Sequence, residues 1–286
     1  MKLGIIGGTG WLGGAIARRL LSQRFVAPDD LHLSNRSGKR DGFETWPDVT
    51  ITADNQTLVD ACDCVVLAVR PEQLRETVID ASGVLVLSVM ASTPMARISE
   101  LTGAHRIIRT MPSPAVERGE GFTPWHANAA AMSGDRTTVQ ALFDACGIAE
   151  EVAGEGQIDW FTSLTGPVPG LFGYVAHALI EASVAHGLSR EVAERAIRFH
   201  AMAAGNEILK SDLTPAQDIE RVLGYGGVTT AGFEAANDAG GMEVFDVALK
   251  GFSGSPFARV GAEVISRPSF RVTVTWAQRS RGKRSS

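Results

Sequence analysis

This chain of 286 residues has no strong excess of either charge, no long apolar run and little cysteine or tyrosine. Each shortage closes a class of function. With 27 basic and 32 acidic residues the net charge is −5, so overall charge offers no grip on nucleic acid or an anionic membrane. No uninterrupted apolar run approaches the roughly 20 residues of a membrane-spanning helix. A glycine-rich motif begins at Gly4, which leaves no space for a signal peptide. Cys62, Cys64 and Cys146 form neither a C-x-x-C pair nor a Cys/His pairing at metal spacing, and read as buried free thiols. No Ser-His-Asp arrangement stands out, and His126, His186 and His200 suggest no metal site. These absences point to a soluble cytoplasmic protein.

What is present is an ample core. The chain is 44% hydrophobic and 21% charged, and its length suits two domains better than one. Residues 1–153 alternate strand-like runs, such as "KLGIIG", "LHLSN", "CVVLAV", "VLVLSV" and "RIIRTM", with helical patterns at 11–23 and 94–101. That alternation predicts an α/β domain, a parallel sheet covered on both faces. Residues 154–266 read as helices at 157–164, 169–186, 190–209, 215–223 and 242–266, with Thr214 capping the fourth. Glycines at 205, 232, 240 and 241 are expected where helices approach closely. Residues 267–286 carry six basic residues and no acidic one; composition favours a disordered, solvated tail over a nucleic-acid or membrane tether.

The stretch "GIIGGTGWLGGAIARRLL" reads as strand, glycine turn and helix. Gly8-Thr9-Gly10-Trp11-Leu12-Gly13 fits G-x-G-x-x-G, and Gly7, Gly10 and Gly13 allow a G-x-x-G-x-x-G reading instead. Either pattern supplies a tight turn, close approach of backbone N–H groups to a pyrophosphate, and close helix–strand packing. The helix N-terminus adds unpaired donors and partial positive charge. A site for NAD usually ends the second strand on an acidic residue, which accepts from the ribose 2′-OH. Here the strand ends on Asn35, Arg36 and Ser37, followed by Lys39 and Arg40, a set suited to a 2′-phosphate. The expected cofactor is therefore NADPH/NADP.

"NRS", "LAVRP" (including Ala68, Val69, Arg70 and Pro71), "RTMPSPAVERGEG", the helical "DWFTSLTGPVPGLFGYVAHALIEASVAHGLSR" and "VLGYGGVTTAG" follow one another in the order of a known family. Over residues 1–266 the chain resembles the pyrroline-5-carboxylate reductases. The resemblance implies a Rossmann domain followed by a helical domain through which two chains interlock into a homodimer or a larger assembly of dimers. It implies reduction of a small cyclic imine, pyrroline-5-carboxylate, to proline by NAD(P)H. It also implies substrate contacts at Thr165 and along a loop of Gly226, Gly227, Val228 and Thr229, with Thr229 near the imine nitrogen.

The chain departs from the family pattern at several points. Pro167 replaces the second serine of S-G-S-G-P-A-Y, His177 stands at a usual glutamate, Ser113 replaces the asparagine of M-P-N-T-P, and Tyr225 enters the glycine loop. The turn "GGTGWLG" is one residue longer than the family's and resembles that of the deazaflavin-linked NADP oxidoreductases. His177 is a second catalytic candidate, as a proton donor titrating near neutrality; the competing role is a structural histidine. No lysine lies between Lys39 and Lys210, which weighs against hydroxyacid dehydrogenases that use a catalytic lysine on a helix after the domain junction. A different imine or keto acid as substrate, or a silent NADP-binding protein, are the alternatives.

Overall fold

In the computed structural model, which describes residues 1–224 and 226–254, the first half forms one eight-stranded sheet. Tyr225, the continuation of the last helix to residue 266 and the basic segment 267–286 lie outside the described residues. In chain order the elements are β1 (Leu3–Ile6), α1 (Trp11–Ser22), β2 (Leu31–Ser34), β3 (Thr50–Thr52), α2 (Asn55–Asp60) and β4 (Cys64–Leu67). Then come β5 (Leu85–Ser88), α3 (Met95–Thr102), β6 (Arg106–Thr110), β7 (Gly121–Ala127), α4 (Ser133–Asp144) and β8 (Gly147–Glu151).

The strand order is β3-β2-β1-β4-β5-β6-β7-β8. All pairs from β3 to β6 are parallel, as the apolar runs predict. β7 then turns antiparallel to β6, and β8 runs parallel to β7. The sheet is thus larger than the sequence patterns suggest, and mixed rather than wholly parallel. β3 is three residues in a polar stretch, β7 contains Pro124, and β8 ends on Glu150 and Glu151, so none has the strong apolar signature of a buried parallel strand.

Alternation along the strands builds two cores. Cys64 and Val66 of β4 pack in one cluster with Ala15, Ile16 and Leu20 of α1 and Phe143 of α4. Val65 and Leu67 point the other way, toward Leu58 and Val59 of α2 and Met95 and Ile98 of α3. Both faces are covered, as expected of such a sheet.

The second half is helical: α5 (Glu155–Thr165), α6 (Val168–Ala185), α7 (Arg190–Lys210), α8 (Pro215–Gly224), α9 (Val228–Asp238) and α10 (Gly241–Gly254). Thr214 caps α8, accepting from Gln217 N at 3.3 Å, while its own N–H donates to Gln217 Oε1 at 2.8 Å. α5 packs on β6 and β7, α6 on α7, and α9 on α8 and α10. α6, α8 and α9 bury no residue, and α7 buries only Ala193. Phe172, Leu179, Phe199, Met202 and Leu209 are all at least half-exposed.

Three expectations change here. α5 and α6 follow one another as a 31-residue stretch, Glu155–Ala185, long and apolar enough to cross a membrane by length and composition. Gly166 and Pro167 look like a break in the sequence, yet both hold right-handed helical backbone, with φ −85° and −77°. Gly205 and Gly232 meet nothing within 4 Å, so within one chain they serve no close approach. Gly240 is instead a turn residue with φ +78°, and Gly241 does meet the expectation, since a Cβ there would lie 2.8 Å from Ala236 O of α9. Finally, Val228 and Thr229 are not loop: they open α9, a helix absent from the sequence reading, where glycine and threonine mask the helical pattern.

Candidate cofactor and substrate site

β1 leads to β2 on one side, whereas β4, its other neighbour, leads to β5 on the opposite side. Between the carboxyl ends of β1 and β4 such a reversal leaves a crevice. The glycine turn fills the rim of that crevice. Gly7 has φ +82°, and a Cβ there would lie 2.7 Å from Ala68 O. At Gly8 a Cβ would meet the Leu33 side chain at 2.7 Å. Gly13 presses on the turn from α1: its Cβ would sit 2.5 Å from Gly7 O and 3.0 Å from Ala68 Cβ. Gly7, Gly8 and Gly13 are therefore all required by packing, and Gly10 turns the chain into α1, its N–H donating to Gly7 O at 2.9 Å.

The first turn of α1 has no side-chain cap and no acidic residue. The N–H groups of Trp11, Leu12 and Gly13 thus have no intrahelical acceptor. Trp11 is 75% exposed beside them, and Thr9 is half-buried. This is a cradle of backbone donors closed to Cβ atoms, and it fits a dinucleotide pyrophosphate.

The end of β2 is tied to the turn, since Gly7 N and Gly8 N both donate to Ser34 O at 3.0 Å. Asn35 turns inward: its Oδ1 accepts from Ser37 N and Ser37 Oγ at 3.0 Å, and its Nδ2 donates to Lys39 O at 2.8 Å. Arg40 is likewise occupied, donating to Trp46 O and Val49 O. Arg36 points out, 79% exposed, with one 3.4 Å contact to Glu76. Ala68 and Val69 close the other side of the crevice, with Ala68 N donating to Ile6 O at 2.9 Å. Arg70 is exposed, and Pro71 starts a short 3-10 turn, Pro71–Glu76. The structure gathers 7–13, 34–36, 68 and 69 at one edge of the sheet.

The helical candidates sit on three different elements, α5, α6 and the start of α9. Thr165 is buried at the end of α5, its hydroxyl donating to Phe161 O at 2.9 Å. His177 is exposed on α6, 3.8 Å from Glu181, which also takes two bonds from Arg190 at 2.7 and 3.1 Å. The Arg190 guanidinium holds the Glu181 carboxyl below its ordinary range. Gly226 and Gly227, with φ +69° and +84°, bend the chain into α9. Val228 and Thr229 occupy its first turn, exposed and without an acidic neighbour or side-chain cap.

Sequence reasoning missed Arg109, Glu155 and Asp159. Arg109 is fully buried in β6, yet pairs with both carboxylates of α5, at 2.9 and 2.8 Å. The available signal was an arginine between Ile108 and Thr110, directly after an apolar pair in a strand, since a buried charge needs partners. The three cysteines are free and buried as expected. Desolvation pushes Cys62 and Cys146 up to about 12 and raises Cys64 as well. No cluster of metal-ligating side chains occurs among the described residues.

Two family models match the chain in sequence. One, described as pyrroline-5-carboxylate reductase dimerisation, spans residues 155–252. The other, NADP oxidoreductase coenzyme F420-dependent, spans residues 2–92. The pyrroline-5-carboxylate reductase of Synechocystis is 30% identical over 237 residues, covering 81% of this chain and 88% of that relative. The Arabidopsis thaliana enzyme of the same name is 28% identical over 238 residues, covering 81% and 85%. Among solved structures, a pyrroline-5-carboxylate reductase from Coxiella burnetii superposes with TM-score 0.79 at 25% identity, covering 88% of this chain and 96% of that one. A Plasmodium falciparum pyrroline carboxylate reductase with NADP bound shares the fold, at TM-score 0.74, 23% identity and coverage of 91% and 97%. The glycine turn at the strand reversal, the unburied helical half and relatives spanning both halves lead to one conclusion: this chain belongs to the pyrroline-5-carboxylate reductase family.

Proposed function

We propose that the protein is an NADPH-dependent reductase that converts pyrroline-5-carboxylate to proline, acting as a homodimer. The observation that carries this reading is the pairing, in one chain, of an acid-free glycine cradle flanked by an outward-facing Arg36 with a helical half that leaves its apolar side uncovered. The backbone N–H groups of Trp11, Leu12 and Gly13 hold the pyrophosphate, and Arg36 pairs with the 2′-phosphate. Asn35 and Ser37 shape the turn that presents Arg36. Ala68, Val69, Arg70 and Pro71 wall the crevice on the β4 side.

Bound NADPH supplies a hydride from nicotinamide C4. The carbon of the protonated iminium would receive that hydride, the C=N π pair would move onto nitrogen, and nitrogen would keep the proton it already carries, which gives the secondary amine. A protonated iminium is already electrophilic, so the protein has mainly to place it. The N–H groups at the start of α9, around Gly227, Val228 and Thr229, hold the substrate carboxylate, and the Thr229 hydroxyl orients the nitrogen. Among the described residues α9 packs chiefly against α8 and α10, which suits delivery of this helix end to the sheet domain of the second subunit. The apolar face of α6 and α7 is the dimer surface on this reading, which accounts for a stretch apolar enough for a membrane without invoking one. Free, buried thiols suit a reducing compartment, the cytoplasm.

The test is turnover by the full chain. NADPH oxidation with pyrroline-5-carboxylate, with proline as product and a dimer in sedimentation, is the expected result. Turnover only with other cyclic imines or keto acids overturns the substrate. Tight NADPH binding with no turnover across such a panel overturns the enzyme reading.

A further inference from the structure

A buried cation helps fasten the helical half to the sheet. Arg109 is 1% exposed, with Nη1 2.9 Å from Glu155 Oε1 and Nη2 2.8 Å from Asp159 Oδ1. Glu155 and Asp159 are four residues apart and so share one face of α5. Moving α5 away would withdraw both carboxylates and strand the buried guanidinium, which holds α5 in this position. Glu155 Oε1 also accepts a 2.7 Å bond from the backbone N–H of Met95, the first residue of α3. The first N–H of a helix has no acceptor within it. Here a side chain of the helical half supplies one.

The bond to Met95 fixes the connection from β5 to α3, residues 89–94. Strand pairing puts Ser34, Ile6, Leu67, Ser88 and Arg109 in one row at the carboxyl end of the sheet. The connection therefore leaves the same edge as the glycine turn, on the side of β4 away from β2. With the 2′-phosphate at the end of β2, that is the side toward which a dinucleotide extends its nicotinamide. Within the connection Ser92 has φ +51°, a left-handed backbone that non-glycine residues adopt at a cost and keep only where the surroundings enforce it. Its flanks are held by Thr93 Oγ1 donating to Ala91 O at 3.0 Å and Thr110 Oγ1 donating to Ser88 O at 3.1 Å.

We infer that Glu155, held in place by Arg109, is a positioning residue for hydride transfer: it links the helical half to the β5–α3 connection and thereby sets the wall beside the nicotinamide. This rests on the NADPH reading above. α5, which also packs on β6 and β7, then reaches the β5–α3 connection through Glu155 Oε1, and a displacement of α5 moves the wall.

Glu155→Gln and Glu155→Ala separate this role from simple stability. Glutamine keeps an oxygen for Met95 N–H, and alanine does not. In the full chain, Glu155→Ala should speed hydrogen exchange at the Met95 amide, alter the fluorescence of bound NADPH, and lower kcat by about tenfold or more, as slight misplacement does. NADPH affinity, set by the distant glycine turn, should stay within about threefold. Glu155→Gln should restore the Met95 protection, the NADPH emission and most of kcat. Should Glu155→Ala not fold, Met95→Pro removes the same N–H at a position where proline is compatible with the helix start, and should shift emission and kcat alike. Faster Met95 exchange with unchanged emission and kcat overturns the inference, as does equal impairment of the Gln and Ala variants. A parent chain that binds NADPH but does not reduce pyrroline-5-carboxylate refutes the substrate alone, because emission and exchange still decide the role of Glu155. A parent that binds no NADPH overturns both.

Discussion

Replacing Arg36 by alanine should separate the two nicotinamide cofactors. Among the described residues the guanidinium makes a 3.4 Å contact with Glu76, and the two side chains are 79% and 74% exposed. An ion pair of that kind is worth about 0–1 kcal/mol, so Arg36 is released to a phosphate at little cost. A charge-assisted hydrogen bond contributes about 1.5–3 kcal/mol, and solvent at this open position reduces that to about 1–2 kcal/mol. At about 1.4 kcal/mol per decade, Arg36→Ala should raise the Kd for NADPH by about 5- to 30-fold and leave NADH nearly unchanged. Glu76→Gln removes the competitor and should tighten NADPH by no more than about fivefold. Titration of NADPH and NADH fluorescence at low and high salt measures both, and the NADPH preference should shrink with salt. Thermal stability should stay within about 0.5 kcal/mol, since no buried group is touched. Equal losses for the two cofactors in Arg36→Ala, or no loss at all, would refute the assignment.

Gly13→Ala should lower the melting temperature by an amount equivalent to about 1–3 kcal/mol and abolish NADPH binding, because its Cβ would press on Gly7 O at 2.5 Å. Gly14→Ala is the control, because the nearest atom to its Cβ is the movable end of Arg18, at 3.0 Å; equal melting temperatures for the two variants would contradict the packing argument. Thr229→Val keeps the shape and deletes the hydroxyl, and should lower turnover about ten- to several-hundred-fold with NADPH affinity and melting temperature nearly unchanged; turnover at the parent rate removes Thr229 from the mechanism. Burial holds Cys62 and Cys146 neutral until pH nears their raised values of about 12. Near pH 8 their thiolate fraction should be about a thousandfold below that of an ordinary thiol, so labelling should be slow in the native chain and complete only after unfolding. Rapid labelling of the native chain would show that the thiols are not enclosed.

Local chemistry made the cofactor half readable from residues alone. Four glycines within seven residues, a strand before them and an amphipathic helix after them admit few conformations, and Gly7 and Gly13 turn out to be sterically required. Apolar runs as pure as "CVVL" belong in a sheet covered on both sides, and Cys64–Leu67 is buried at every position. The basic end of β2 was equally legible, but only as a group. Tertiary hydrogen bonding then divided it, turning Asn35 and Arg40 into turn and loop supports and leaving Arg36 outward.

What the sequence by itself determined is therefore the order of the domains, the strand–turn–helix cradle and the amphipathic character of the helical half. These follow from periodicities and backbone sterics acting over a few residues. Only the tertiary structure decided the reversal of β7 and β8 and the start of α9 at Val228, because weak local signals were overridden by neighbours distant in sequence. Only the tertiary structure likewise put Arg109 against carboxylates 46 and 50 residues further along the chain. A buried charge requires partners, but nothing local to β6 says which they are; the packing of α5 on the sheet supplies them.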